Sequence, residues 1–253
     1  MTNDIVTPKV ELAAFTTFTV PDSLKDEYQF TSWDEREGGQ HLAEFAGRAC
    51  YQSWSKPNPV TATNEGYLAH ILDVKHGSVL EHGSLSFYVT GISRSLTHEL
   101  VRHRPGMAYS QLSQRYVAAE DSNLIVAPEL RDVPGAEEIL TEAMSAAVRA
   151  YDRLYKLMAA KLELEGVEGT EARKRARQAA RAVMPNMTET RIVVTGNLRA
   201  WRHFLAVRAA APADHEIREV AMLIYDEMVK RVPNAVQDFR VVTLHDGTRA
   251  LES

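Results

Sequence analysis

The chain has 253 residues, 45% of them hydrophobic and 25% charged, with a net charge of −5 and one cysteine. This is the composition of a globular protein with a sizeable core; it argues against a low-complexity chain and against broad affinity for polyanions. No apolar run approaches the roughly 20 residues of a membrane span, MTNDIVTPKVEL lacks a basic-then-apolar signal pattern, and one cysteine excludes an intrachain disulfide, so a cytoplasmic protein without a membrane partner is expected.

Residues 9–20 carry the β-branched and aromatic residues of a strand. Between Gly38 and Trp54, Leu42, Phe45, Ala46, Ala49 and Cys50 recur at helical spacing; Cys50 falls on the apolar side and is expected to be a buried, inert thiol. Lys56-Pro57-Asn58-Pro59 breaks the chain, and a second helix runs roughly from Asn64 to Val74. In the segment from His76 to His82, Ser78 and Glu81 have the spacing of a capping box, and no further carboxylate or cysteine cluster supports a metal at the two histidines. Ser84 to Thr90 alternates like a strand. Ser93 to Arg104 reads as a helix, with Ile92, Leu96 and Leu100 on one side, Arg94, His98 and Arg102 on the other, and Pro105-Gly106 ending it.

Tyr109 to Val117 reads as extended, with Gln111, Ser113 and Arg115 on one side. After a loop from Asp121 to Pro134 comes the longest helix, Ala136 to Glu165, with Ile139, Leu140, Met144, Val148, Tyr151, Leu154 and Leu157 spaced for packing. Glu171 to Met184 is helical and stops at Pro185. Thr190 to Thr195 has the apolar run of a central strand, and Asn197 is the expected N-cap of the next helix. The last helix spans about His215 to Val232, and a terminal strand, Asp238 to Leu244, closes at Asp246-Gly247. Helices follow one another without intervening strands, which excludes a regular βαβ series. The expected fold is α+β, an antiparallel-rich mixed sheet of about five strands flanked by several long helices, in a single domain over residues 1–253.

Three basic groups bear on function. From His98 to Tyr116 stand Arg102, Arg104, Arg115 and two histidines. A charged stripe on a helix is ordinarily a solvated face, but this one leads into Ser110, Gln111, Ser113 and Arg115, whose hydroxyl, amide and guanidinium donors suit a phosphate or nucleobase. Arg173, Arg177 and Arg181 repeat at one helical turn; the first two read as solvated surface, while Arg181, among Ala180, Ala182, Val183 and Met184, needs a partner. Arg199 and His203 lie one turn apart, and Arg208 falls beside Trp201, Phe204 and Leu205. Two readings of Arg208 stay open: its stem reaches out to water, or its guanidinium is partly desolvated and awaits an anion or an incipient oxyanion. Neither a dinucleotide glycine motif nor a P-loop is present.

Arg102-His103-Arg104, eight residues, then Ser113 with Gln114-Arg115 behind it, resembles the signature of the flavin-dependent thymidylate synthases. HGSVLEH, GISRSLTHELVRHR, SQLSQRYV, ARQAARAVMPN and TRIVVTGNLRAWRHFLAVR also resemble family segments, in the family's order, from about residue 76 to residue 219. The resemblance implies a fold of the thymidylate synthase-complementing type and a methyltransferase that converts dUMP to dTMP. In it 5,10-methylenetetrahydrofolate, a folate, supplies the carbon and NADPH supplies reducing equivalents through FAD. It implies FAD contacts from His76, Ser78, Arg102, His103, Arg104, Gln111, Asn197, Arg199 and His203. It implies dUMP contacts from Glu99, Arg102, Gln111, Leu112, Ser113, Gln114, Arg115, Arg181 and Arg208, with Arg181 reaching the phosphate from a neighbouring subunit of a homotetramer. Arg208 is the implied catalytic residue, favouring ionisation of uracil N3 where other thymidylate synthases use a cysteine nucleophile; no metal and no nucleic-acid partner are implied. Two other readings of the basic groups are a non-catalytic nucleotide- or RNA-binding protein and a flavoprotein that only oxidises NADPH. The chain departs from the family pattern at Pro105-Gly106-Met107-Ala108, where many members carry a shorter turn with histidine or aromatic residues, and at Ala209-Ala210-Ala211-Pro212, which lacks the polar side chains common there.

Overall fold

The computed structural model describes residues 4–28, 38–56, 58–119 and 122–252; Pro57 of the first predicted break and Asp121 at the head of the predicted loop lie outside them. The elements run β1 (Lys9–Phe15), α1 (Gly38–Tyr51), α2 (Asn64–Asp73), β2 (Ser84–Ser93), α3 (Arg94–Leu100), β3 (Met107–Gln111), α4 (Ala136–Leu164), α5 (Gly169–Ala180), β4 (Glu189–Asn197), α6 (Leu198–Arg208), α7 (His215–Arg231), β5 (Arg240–Thr243) and β6 (Arg249–Glu252). Four strands form a sheet in the order β1-β2-β4-β3, so β4 is interior, as its apolar run predicts; β5 and β6 form a separate two-stranded sheet. The fold is α+β, as expected. The chain clusters into two units, each drawn from three segments.

One unit comprises Met1–Lys9, Val89–Val101 and Ser110–Ile192. Ser93 caps α3, its hydroxyl accepting from the Leu96 N–H at 3.0 Å. The helix ends at Leu100, not at Arg104. Pro105 disfavours helical backbone at Arg104, the residue before it, so the helix ends before Arg104. Arg102 is therefore not the third member of a helical stripe with Arg94 and His98. β3 also ends early, at Gln111. Ser113 Oγ accepts from the Arg115 N–H at 3.3 Å, and the Ser113 carbonyl accepts from Tyr116 and Val117 at 3.2 and 3.0 Å. This local bonding competes with strand pairing, so the expected alternation of Gln111, Ser113 and Arg115 gives way to a turn.

In the same unit α4 opens with Glu137 and Glu138, acids at the end where the helix dipole favours them. Met144 and Tyr151 are fully buried; Tyr151 packs with Ala119 and Ala180. Ile139 and Leu157, expected to pack, are 68% and 69% exposed. At 3.6 residues per turn they stand about 140° from Met144 and about 120° from Tyr151, off the buried line. α5 stops at Ala180, and a 3₁₀ turn, Arg181–Val183, carries the exposed Arg181. Arg181 thus projects from a turn and not from an apolar helix end.

The other unit comprises Val10–Tyr88, Arg102–Tyr109 and Val193–Ser253. Trp201 and Phe204 of α6 are its buried anchors. The Trp201 ring lies 5.1 Å from Phe87, and its Nε1–H donates to the Leu85 carbonyl at 3.0 Å. α1 buries Glu44 and Arg48, joined at 2.7 Å, with Lys56 Nζ at 3.1 Å from the same carboxylate. Burying this charged face turns the opposite side outward: Cys50 is exposed, its thiol 3.5 Å from the Ala46 carbonyl, and the expected buried thiol is not found. The Ser78/Glu81 capping box is not found either, because Gly77–Glu81 forms a 3₁₀ turn without a side-chain cap. β6 was absent from the sequence expectation. It pairs antiparallel with β5, Val241 opposite Leu251, across a turn in which Gly247 has φ +80°.

Candidate functional site

The corner between β4 and α6 sets the site in the second unit. Asn197 Oδ1 accepts from the Ala200 N–H at 2.8 Å, the predicted N-cap, while the Asn197 N–H donates to the Gly106 carbonyl at 3.1 Å. Gly106 has φ +72°, and a Cβ there would lie 2.7 Å from Asn197 Nδ2, so the Pro105-Gly106 turn and the cap of α6 fit only without a side chain. From this corner α6 presents Arg199, His203 and Arg208 to a cavity of about 680 Å³, within the range of small-molecule sites. Its wall also holds Glu81, Arg102, His103, Pro105, Gly106, Met107, Asn197 and Ala200.

The electrostatics favour an anionic guest, since three guanidinium groups (Arg102, Arg199, Arg208) face one carboxylate in that wall. Glu81 is paired with Arg199 at 2.5 Å. Arg208 is half-buried, and its Nε donates to His103 Nε2 at 3.1 Å. It lines the cavity. The His103 ring lies 5.3 Å from Phe204 and 5.6 Å from His203. Burial, then the Arg208 charge and His203, pull its pKa down from 6.5 to about 4. His103 is therefore a neutral imidazole near pH 7, its proton on Nδ1 because Nε2 accepts. The Tyr109 hydroxyl donates to the His103 carbonyl at 2.5 Å, and burial pushes that phenol up to about 12.

Of the residues expected along FAD, Arg102, His103, Asn197, Arg199 and His203 meet in this cavity. His76, Ser78 and Arg104 are exposed and outside its wall, and Gln111 belongs to the other unit. Arg202, on the same helix, is committed elsewhere: it grips Asp238 with two bonds of 2.6 Å. The missing polar side chains after Arg208 are replaced by backbone contacts. Buried Arg218 donates to the Ala211 carbonyl at 2.8 Å and to Thr248 Oγ1 at 3.1 Å, which holds this stretch without them.

Of the residues expected at dUMP, Glu99, Gln111, Leu112, Ser113, Gln114, Arg115 and Arg181 belong to the first unit, and Arg102 and Arg208 to the second. Gln111 Nε2 donates to Thr97 Oγ1 and Thr190 Oγ1 at 3.1 and 3.2 Å. The Leu112 N–H is tied to the Arg191 carbonyl at 2.8 Å, and Glu99 is half-buried and engaged. Gln114 Nε2, Arg115 Nε and Arg94 Nη1 are buried without a hydrogen-bond partner among the described residues. Buried polar atoms are nearly always satisfied, so such donors point to a ligand. Burial lowers the Arg94 pKa, and the charge of Arg181 lowers it further. Arg94, grouped by the sequence with His98 and Arg102 on one side of a helix, stands in the first turn of α3, where the helix dipole opposes a cation. The basic residues of α5 are used locally: Arg173 donates to Thr170 Oγ1 at 3.1 Å, Lys174 and Arg175 pair with Glu171 at 3.3 and 2.9 Å, and Arg177 donates to the Tyr116 carbonyl at 2.5 Å. No helix among the described residues is long and apolar enough to cross a membrane.

A family model described as thymidylate synthase complementing protein matches residues 33–234. A protein of Mycolicibacterium vanbaalenii named flavin-dependent thymidylate synthase is 53% identical over 251 residues, 99% of this chain and 97% of that relative. One of the same name from Mycobacterium tuberculosis is 54% identical over 249 residues, 97% and 95% of the two chains. Among solved structures, a UMP/dUMP methylase from Streptomyces cacaoi bound with 5-Br UMP shares the fold, with a TM-score of 0.61 at 20% identity over 92% of this chain and 93% of the other.

Proposed function

We propose that this chain, which belongs to the flavin-dependent thymidylate synthase family, acts as a single 1–253 synthase domain that methylates dUMP at C5 to give dTMP. 5,10-Methylenetetrahydrofolate supplies the carbon, and NADPH the reducing equivalents. The observation that carries the reading is Arg208, a half-buried guanidinium lining a cationic cavity next to a neutral histidine. Carbon–carbon bond formation at C5 requires electron density pushed into the pyrimidine. A half-buried guanidinium stabilises the charge that forms as N3 loses its proton, and does so more strongly than one in bulk water. Cys50 is exposed and not among the cavity residues, which fits a route that needs no protein thiol.

The donors present suit FAD. Arg102 and Arg199 match the negative charge of a diphosphate, and Asn197, His103 and His203 offer ring and amide contacts. His76, Ser78, Arg104 and Gln111 complete the proposed FAD set. Bound there, FAD would supply hydride transfer, chemistry no side chain of this chain provides. The dUMP set is Glu99, Arg102, Gln111, Leu112, Ser113, Gln114, Arg115, Arg181 and Arg208, joined by Arg94. The buried unpartnered donors of Arg94, Gln114 and Arg115 support a phosphate or base there, and Ser113 serves as a ligand and not a nucleophile. We assign Arg181 to the phosphate of a neighbouring copy in a homotetramer; the exposed Ile139 and Leu157 of α4 are side chains such an assembly would cover. A cytoplasmic setting suits the single exposed thiol.

The test is a titration of the purified protein with FAD followed by assay of dTMP. A bound-flavin spectrum, bleached by NADPH, with dTMP formed only when dUMP and the folate are both present, is expected. A protein that acquires no flavin spectrum would overturn the reading.

A further inference from the structure

One edge of the Arg208 guanidinium is engaged by a neighbour. Its Nε donates to His103 Nε2 at 3.1 Å, and the residue lines the cavity. A guanidinium is planar, so fixing Nε fixes the plane. His103 is itself held from three sides. Phe204 meets its ring edge-on at 5.3 Å, the His203 ring lies at 5.6 Å, and the Tyr109 hydroxyl donates to its backbone carbonyl at 2.5 Å. Tyr109, His103 and Arg208 thus form an unbroken line from β3 through the turn to the end of α6.

We propose that Tyr109 and His103 are positioning residues that aim the Arg208 guanidinium into the cavity, His103 acting as a neutral hydrogen-bond acceptor and Tyr109 as the tether of its backbone. The proposal rests on the reading of Arg208 as the group that polarises the pyrimidine. Only an uncharged imidazole can do this, because a protonated ring has no acceptor and would repel Arg208. The surroundings enforce neutrality: burial, Arg208 and His203 all disfavour the charged form, with Arg102 and Arg104 flanking it in the chain. The geometry also gives the middle residue of Arg102-His103-Arg104 a task that neither arginine beside it could perform, since arginine has no acceptor.

The test compares His103→Leu with His103→Gln, whose side-chain carbonyl can still accept. With FAD and dUMP at saturation, His103→Leu is expected to lower kcat roughly 10- to 100-fold, the cost of misplacing a reacting group by about an ångström. The KM for dUMP should stay within about threefold, and His103→Gln should recover kcat to within about fivefold of the unaltered chain. A Leu variant with unaltered kcat, or a Gln variant as slow as Leu, would refute the proposal. If the Leu variant does not fold, Tyr109→Phe decides, with a kcat loss of about 3- to 10-fold expected; no loss counts against the tether. A crystal structure of the Leu variant, or of Tyr109→Phe in its place, reads the relay without any reaction. Displacement of the Arg208 guanidinium from the cavity wall is expected, and a guanidinium still in place overturns the proposal. If the unaltered chain formed no dTMP, the synthase reading would fall while that structure still judged the relay.

Discussion

Replacing Gly106 by alanine perturbs the corner that joins the turn to α6. The residue sits at φ +72°, where an L side chain costs about 1–2 kcal/mol. Its Cβ would also come within 2.7 Å of Asn197 Nδ2 and 2.9 Å of Oδ1, so the Asn197 side chain must move and its cap on Ala200 is lost. Losing such a cap costs about 1 kcal/mol. The sum, about 2–3 kcal/mol, corresponds to a fall in Tm of roughly 4–12 °C for a chain of this size. Gly166→Ala is the control: it has φ +73° and nothing within 4 Å, so it carries the backbone strain without the collision. Because Asn197 lines the cavity, Gly106→Ala should also weaken flavin binding about tenfold, the equivalent of one lost good contact, whereas Gly166→Ala should not. Thermal melts and flavin titrations of the two variants make the comparison. A Gly106→Ala protein no less stable than Gly166→Ala, and binding flavin as tightly as the unaltered chain, would refute the reasoning.

Ser113→Ala should weaken dUMP binding by about tenfold, measured by equilibrium titration, through loss of a ligand hydroxyl and of the bond that orders Arg115; unchanged affinity would remove Ser113 from the site. Arg94→Met should raise the KM for dUMP at least about tenfold while leaving Tm equal or higher, because it removes a buried guanidinium with an unpartnered Nη1; a lower Tm with normal KM would make Arg94 structural. His103 also leaves a signature in stability against pH. Its folded pKa is about 4 against an ordinary 6.5, so between those values the unfolded chain binds a proton the folded one does not. Its contribution is present above pH 6.5, falls as pH drops toward 4 and levels off below. Denaturant melts of His103→Gln should show a shallower slope across that window, and an identical slope would contradict the burial argument.

Much of the site was legible because its residues are clustered along the chain. Asn197 was recognisable as a cap from its place before an apolar-periodic run, and Arg208 as an anomaly from its spacing with Trp201 and Phe204. The parts that were not legible depend on partners far apart in sequence. Glu81 has capping spacing with Ser78, but a guanidinium 118 positions away takes its carboxylate. Cys50 looked apolar-facing from its spacing with Leu42, Phe45, Ala46 and Ala49, but α1 buries the paired Glu44 and Arg48 and leaves the thiol exposed. Ile139 and Leu157 fit a helical pattern of packing, yet the pattern alone does not say which third of α4 meets a neighbour. That α3 ends before Arg104 was legible from Pro105, but its end at Leu100 was not. The nearness of Arg181 to Arg94 was not legible, because the two lie on elements far apart in the chain.

The central claim is that Arg208 activates the pyrimidine from the cavity wall. The most direct measurement is dTMP formation by Arg208→Ala beside the unaltered chain, with FAD, NADPH, methylenetetrahydrofolate and dUMP all saturating. The account predicts a retained flavin spectrum and a rate lower by roughly 10²–10³, the cost of removing one aimed donor from a developing negative charge. Formation of dTMP by the variant at the unaltered rate would contradict it.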